Sequence, residues 1–196
     1  MVATPQIKTY TAEEYLALEI EAEARSEYRN GEIVLMTGGT PAHNALANAL
    51  SSLLWYSLFQ SPYQVYVTDQ RLQIPATNLY TYPDVMVVPE PIALEPGRKD
   101  TVTNPVLLAE VLSSSTKNYD RDDKFEAYRT IPSFQEYLLI DQYRYYVEHW
   151  LKQAENQWLL TVHDYKDAVI ALSSVPAEIE LSRLYGKVKF YAEDDG

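Results

Sequence analysis

Tyr82-Pro83-Asp84-Val85-Met86-Val87-Val88 is followed by a second apolar run, Val106-Leu107-Leu108-Ala109-Glu110-Val111-Leu112, and then by Lys124. Short aliphatic and β-branched runs bounded by Pro, Ser and Asn suit strands of a sheet covered on both faces. Each run carries one carboxylate, and an ionised carboxylate in such a setting is costly unless it is paired or bound to a metal. Two-residue alternation places Glu110 on the same face as Leu108 and Leu112, an unusual setting for a solvated glutamate. A divalent cation shared by Asp84 and Glu110 accounts for both carboxylates. An internal salt bridge to Lys or Arg is the alternative.

Outward from these strands, Thr11-Ala12-Glu13-Glu14 forms a capping box and predicts a helix running toward Leu18. Asn30-Gly31 is a turn signal, followed by a strand over Glu32 to Met36. From Pro41 to about Leu58, Leu46, Leu50, Leu53, Leu54 and Leu58 recur at helical spacing and predict one core-facing stripe. Short strands are expected at Val65 to Thr68 and Arg71 to Ile74, and a charged surface helix at Asp120 to Thr130, ended by Ile131-Pro132. Glu136 to Asp141, Tyr145 to Leu151 and Trp158 to Val162 read as a meander, whereas the segment from Ile179 to Tyr191 has no clear pattern. These elements indicate a single domain over residues 1–196, of α/β class with a mixed central sheet flanked by helices.

Composition narrows the chemistry. The 196 residues contain no cysteine, which excludes disulfides, thiolate metal sites and a cysteine nucleophile. Three histidines, His43, His149 and His163, lack the spacing of a zinc-protease helix. No signal peptide or membrane-length apolar run is present, so a soluble cytoplasmic protein is expected. The formal charge of −12 opposes indiscriminate nucleic-acid binding, which draws its affinity from Lys and Arg on phosphates. The acidity is uneven, which leaves room for a local basic surface around Lys117, Arg121, Lys124 and Arg129, diluted by Asp120, Asp122 and Asp123.

Residues four apart on a helix share a face, so Asp120, Lys124 and Tyr128 should line up. Taken alone, the Asp120/Lys124 pair reads as an exposed ion pair of small value. Together with its surroundings it carries a family resemblance. Tyr82-Pro83-Asp84-Val85, Ala109-Glu110-Val111-Leu112-Ser113-Ser114-Ser115-Thr116, Tyr119-Asp120-Arg121-Asp122-Asp123-Lys124-Phe125 with Tyr128, Ile131-Pro132-Ser133 and Glu136-Tyr137 resemble the Uma2 family. That family is grouped with the PD-(D/E)XK restriction-endonuclease-like nucleases. Tyr28, Gly31 to Met36 and His43 also resemble its N-terminal pattern, so the likeness spans about residues 10 to 150.

The resemblance implies a restriction-endonuclease-like fold and metal-dependent hydrolysis of phosphodiester bonds, with DNA or another nucleic acid as substrate. Asp84 and Glu110 would hold Mg²⁺ or Mn²⁺, and Lys124 would orient the attacking water or stabilise charge. The wider superfamily places its lysine two residues after the second acid, where this chain has Leu112, so the role is expected to have moved to Lys124. Glu27 or Glu32 would add a further carboxylate, and His43, Asp120 and Tyr128 are neighbours of the site. Glu136 and Asp141 are read as structural, and the aromatic group Tyr143, Tyr145, Tyr146 and Trp150 as packing or a homodimer interface. A rival reading keeps the fold but makes the chain a non-catalytic interaction or oligomerisation module, favoured by the net charge and the displaced lysine. Close approach of Lys124 to both carboxylates in an open cleft would favour the nuclease, and a closed, buried constellation the module.

Overall fold

A computed structural model describes residues 8–190. Among them, two sheets meet at the Tyr82-Pro83-Asp84 segment. The larger sheet runs in the order β11-β10-β9-β8-β6-β3, built from β3 (Tyr63–Val67), β6 (Val85–Pro89), β8 (Leu107–Leu112), β9 (Glu136–Asp141), β10 (Val147–Ala154) and β11 (Gln157–His163). The two apolar runs quoted first are its central strands. They pair antiparallel, Val85 opposite Ala109 and Val87 opposite Leu107. β8 then pairs parallel with β9, Glu110 opposite Leu139, and such a pairing requires a crossover.

The crossover is a helix in three segments: α3 (Lys117–Tyr119), a π-helical turn (Asp120–Lys124) and α4 (Phe125–Tyr128). It starts and ends slightly before the expected span, and the π turn has no sequence signature. It covers one face of the sheet, where Phe125, Ala127 and Tyr128 pack with Met86, Val88, Leu108, Leu112, Tyr137 and Leu139. The opposite face packs on α2 (Pro41–Leu58), which has the limits expected from its leucine spacing and is capped by Thr40. Leu46, Leu50, Leu54 and Leu58 are buried there against Val85, Val87, Ala109 and Val111, while Leu53 is only partly buried.

The second sheet, β2-β1-β5-β4-β7, was not expected as a separate layer. Its hairpin is legible: α1 (Ala12–Glu21) begins on the predicted capping box, and β1 (Ser26–Arg29) turns into β2 (Glu32–Leu35) through Asn30 and Gly31 at φ 43° and 109°. β4 (Arg71–Ile74) was also expected, but β5 (Leu79–Thr81) and β7 (Thr101–Val102) are too short to show a period. Tyr15, Tyr28 and Tyr80 join α1 to this sheet in a packed aromatic cluster. The patternless C-terminal stretch holds β13 (Glu178–Glu180), which pairs with β12 (Val169–Ala171), and α5 (Leu181–Leu184).

Glu136 is fully buried and structural, accepting bonds from His149 at 2.6 Å and from the Ser173 and Ser174 backbone N–H groups at 3.0 and 2.9 Å. These bonds tie the β12–β13 loop to the main sheet. The Tyr145 and Trp150 rings likewise pack, on Tyr185 and Phe125 respectively. Leu50, wholly buried between α2 and the sheet, sets a test of this core: Leu50→Ala should cost about 2–5 kcal/mol in urea unfolding. A loss below about 1 kcal/mol would show that α2 does not pack as described.

Candidate active site

Asp84 stands immediately before β6, where the chain leaves the second sheet, and Glu110 lies in the middle of neighbouring β8. The Val111 N–H donates to Asp84 Oδ2 at 2.8 Å, and the Asp84 N–H approaches Glu110 Oε2 at 3.4 Å. The two carboxylates are therefore held side by side by the backbone of β6 and β8. Both residues are buried, Asp84 at 7% and Glu110 at 3% exposure.

Lys124 reaches back from the π turn to one of the two carboxylates, in a buried cluster rather than an open cleft. Its Nζ lies 3.1 Å from Glu110 Oε1, 3.1 Å from Asp120 Oδ1 and 3.6 Å from Glu27 Oε1. It makes no ion pair with Asp84 among the described residues. Asp84 instead faces His43 of α2, whose Nε2 lies 3.1 Å from Oδ2. Tyr128 donates its hydroxyl to Glu110 Oε1 at 2.7 Å, and Tyr137 donates to the Asp120 carbonyl at 2.9 Å. The Tyr137 bond holds the π turn, whose altered spacing leaves backbone groups in need of partners.

The expected site thus assembles from Asp84, Glu110, Lys124, Asp120, Tyr128, His43 and Glu27. Glu32 does not join it; it pairs with Arg29 across the hairpin, on the face of Glu27, but sits exposed beside the turn. Nor do Arg121, Lys124 and Arg129 make a basic surface of the expected kind among the described residues. Asp120 and Lys124 are buried rather than exposed, Arg121 pairs with Glu148 at 2.9 Å, and Arg129 lies over the Phe125 ring.

Sequence reasoning missed two residues, Arg29 and Tyr119. Arg29 donates to Glu27 Oε2 from Nε and Nη2, at 3.0 and 2.6 Å, and its guanidinium stacks 3.6 Å from the centre of the Tyr119 ring. The signal was available: Glu27 and Arg29 are two apart on one strand and share a face.

Charge is distributed unevenly. Burial works against the Lys124 ammonium, but Glu110, Asp120 and Glu27 outweigh it and hold its pKa well above the ordinary lysine value. Lys124 is thus a fixed cation and cannot serve as a base. Burial pushes Glu110 up to about 8, Lys124 opposing and the Asp120 and Asp84 charges adding. Glu27 is also buried, yet Lys124, the Thr81 hydroxyl bond and Arg29 pull it below the ordinary range. Burial lowers His43, but the bond and charge of Asp84 raise it above its ordinary value.

No group of three or more His, Cys, Asp or Glu side chains among the described residues is arranged to hold a metal. The donors of Asp84 and Glu110 fit a less enclosed mode. Val111 and His43 occupy Asp84 Oδ2, while Tyr128 and Lys124 occupy Glu110 Oε1. Asp84 Oδ1 has no bond among the described residues, and Glu110 Oε2 meets only the long contact from the Asp84 N–H. One oxygen from each of two carboxylates, completed by water and phosphate, suits Mg²⁺ or Mn²⁺.

The family model described as "Putative restriction endonuclease" matches residues 12–183. The chain belongs to the Uma2 family. Two proteins of Synechocystis sp. (strain ATCC 27184 / PCC 6803 / Kazusa) are similar along most of their length. "Uncharacterized protein sll1609" is 45% identical over 161 residues, 82% of this chain and 91% of that one. "Uncharacterized protein slr1290" is 33% identical over 180 residues, 91% of this chain and 92% of that one. A solved structure described as a "putative nuclease belonging to DUF820" from Anabaena variabilis ATCC 29413 has a TM-score of 0.74, with 20% identity, covering 90% of this chain and 98% of that one. It establishes the restriction-endonuclease-like fold.

The raised Glu110 pKa has a consequence for stability. Between the ordinary value of 4.5 and about 8 the folded protein keeps a proton that the unfolded chain has lost. That contribution to stability is complete below about 4.5 and is lost as pH rises through about 8. Glu110→Gln mimics the protonated form. In metal-free thermal melts the variant should therefore gain on the wild type as pH rises from 5 to about 8. A wild type that is more stable than the variant by a constant margin across this range would show that Glu110 stays ionised against Lys124.

Proposed function

We propose that this Uma2 protein is a metal-dependent nuclease-like phosphodiesterase acting on nucleic acid, with DNA as the leading substrate. One observation carries the reading. Lys124, which lies outside the usual lysine position, places its ammonium 3.1 Å from Glu110, next to Asp84. The same trio, each buried, explains why two carboxylates persist among aliphatic strands.

Asp84 Oδ1 and Glu110 Oε2 are the oxygens offered to the cation. When bound, it would polarise the phosphate and lower the pKa of water. Lys124 supplies a permanent positive charge against the negative charge that develops on phosphorus oxygens. Tyr128 fixes the Glu110 carboxyl by its hydrogen bond, and the Val111 N–H fixes Asp84. Hydrolysis places hydroxide on phosphorus and a proton on the departing oxygen, and His43, poised on Asp84, is the nearby group able to carry a proton at neutral pH.

Burial of the trio supports a second reading, the interaction module. A groove of about 590 Å³ beside Phe125, Trp150 and Trp158 contains none of Asp84, Glu110 and Lys124. Trp55, Tyr56 and Phe59 also leave an exposed aromatic face on α2. No helix among the described residues is long and apolar enough to cross a membrane, so a spanning helix does not explain that face.

Thermal melting with Mn²⁺ or Mg²⁺ separates the two readings without knowledge of a substrate. The nuclease reading expects a rise of about 2.7 kcal/mol in stability at metal a hundredfold above Kd. Asp84→Asn should remove it. Cleavage of DNA by the wild type should then be lost in Glu110→Gln by at least about 100-fold. No metal-dependent rise and no cleavage would leave the module as the better account.

A further inference from the structure

We infer that Arg29 anchors a phosphate of the nucleic-acid strand beside the catalytic trio, with Tyr119 holding its guanidinium in place. The inference rests on the phosphodiesterase reading and extends it to strand binding, which the −12 net charge opposes overall.

Arg29 and Lys124 lie against the same ring. The Arg29 guanidinium carbon is 3.6 Å and the Lys124 Nζ 5.5 Å from the Tyr119 centroid. The two cations also share Glu27: Arg29 bonds its Oε2 and Lys124 approaches its Oε1. A phosphate held by Arg29 is therefore one aromatic ring from the lysine. Their exposure differs sharply, 33% for the Arg29 side chain and 8% for that of Lys124. Arg29 is the cation that an incoming strand meets first.

Its donors are also divided for this task. Nε and Nη2 bind Glu27, leaving Nη1 without a partner among the described residues. Stacking on tyrosine and a forked pair to carboxylate fix the guanidinium plane, so little further entropy is lost when a phosphate binds. The Tyr119 hydroxyl is buried. Burial, with Glu27 adding by its charge and as a hydrogen-bond acceptor, raises its pKa and keeps it protonated. Other arginines are spent differently, Arg71 inside a network with Glu19, Tyr82 and Asp100, and Arg121 on Glu148.

Fluorescence anisotropy with labelled duplex DNA, single-stranded DNA and RNA of one sequence, on Asp84→Asn protein to suppress cleavage, tests the anchor. Adding Arg29→Gln should weaken binding about tenfold. It should also reduce the slope of log K against log salt by about 0.9 on duplex DNA or about 0.7 on a single strand. Arg29→Lys keeps the charge but loses the fork and the stack, so it should retain the slope with weaker binding. Melting curves of each variant verify folding, and Arg29→Met, which keeps the aliphatic stem but removes the charge, carries the same two expectations if Arg29→Gln does not fold. Unchanged affinity and slope in Arg29→Gln overturn the anchor, as does lower affinity with an unchanged slope, which marks a packing role. Cleavage by the wild type alongside either result overturns the anchor alone. If the wild type cleaves neither DNA nor RNA and the Asp84→Asn protein binds neither, the phosphodiesterase reading falls, and the anchor with it.

Discussion

A buried ammonium organises this molecule. Taking Lys124 out of water costs several kcal/mol unless charges of opposite sign surround it. Glu110 from the main sheet, Asp120 from the crossover helix and Glu27 from the second sheet meet that demand together. One side chain thereby joins three parts of the fold. Removing Asp120 or Glu27 leaves the ammonium undercompensated in a low-dielectric setting, so the arrangement constrains the relative positions of sheet, helix and hairpin. The π turn belongs to the same constraint, since it is the segment that carries both Asp120 and Lys124.

Glu110 and Glu136 show how surroundings, rather than burial alone, decide the state of a carboxyl. Both lie inside the main sheet, nearly or wholly buried. Glu136 is ringed by donors from His149, Ser173 and Ser174, which hold it below the ordinary range despite burial. Glu110 has Tyr128 and Lys124 as donors but also Asp120 and Asp84 as neighbours, and its pKa rises to about 8. The first arrangement is satisfied as it stands and suits a structural role. Crowded carboxylates with an oxygen to spare are suited to a further cation.

Much of this was legible because it was periodic. Leucine spacing and Thr40-Pro41 set the limits of α2, and aliphatic runs exposed the two central strands with their carboxylates. The second sheet was hidden because β5 and β7 span three and two residues, too few for alternation to register. The π turn has no sequence signature, so the burial of Asp120 and Lys124 could not be foreseen from helical spacing. Arg29 escaped attention because it sits in a four-residue strand beside a turn, although its alternation with Glu27 pointed to the site. Glu32 shares the face of Arg29 and Glu27 but stands at the exposed turn end of the hairpin, outside the cluster.

A crystal soaked in Mn²⁺ and measured for anomalous scattering tests the central claim most directly. The account predicts one strong peak in contact with Asp84 Oδ1 and Glu110 Oε2, with Lys124 still on Glu110. A well-ordered site without a peak at saturating Mn²⁺, or a peak held only by other residues, would contradict it.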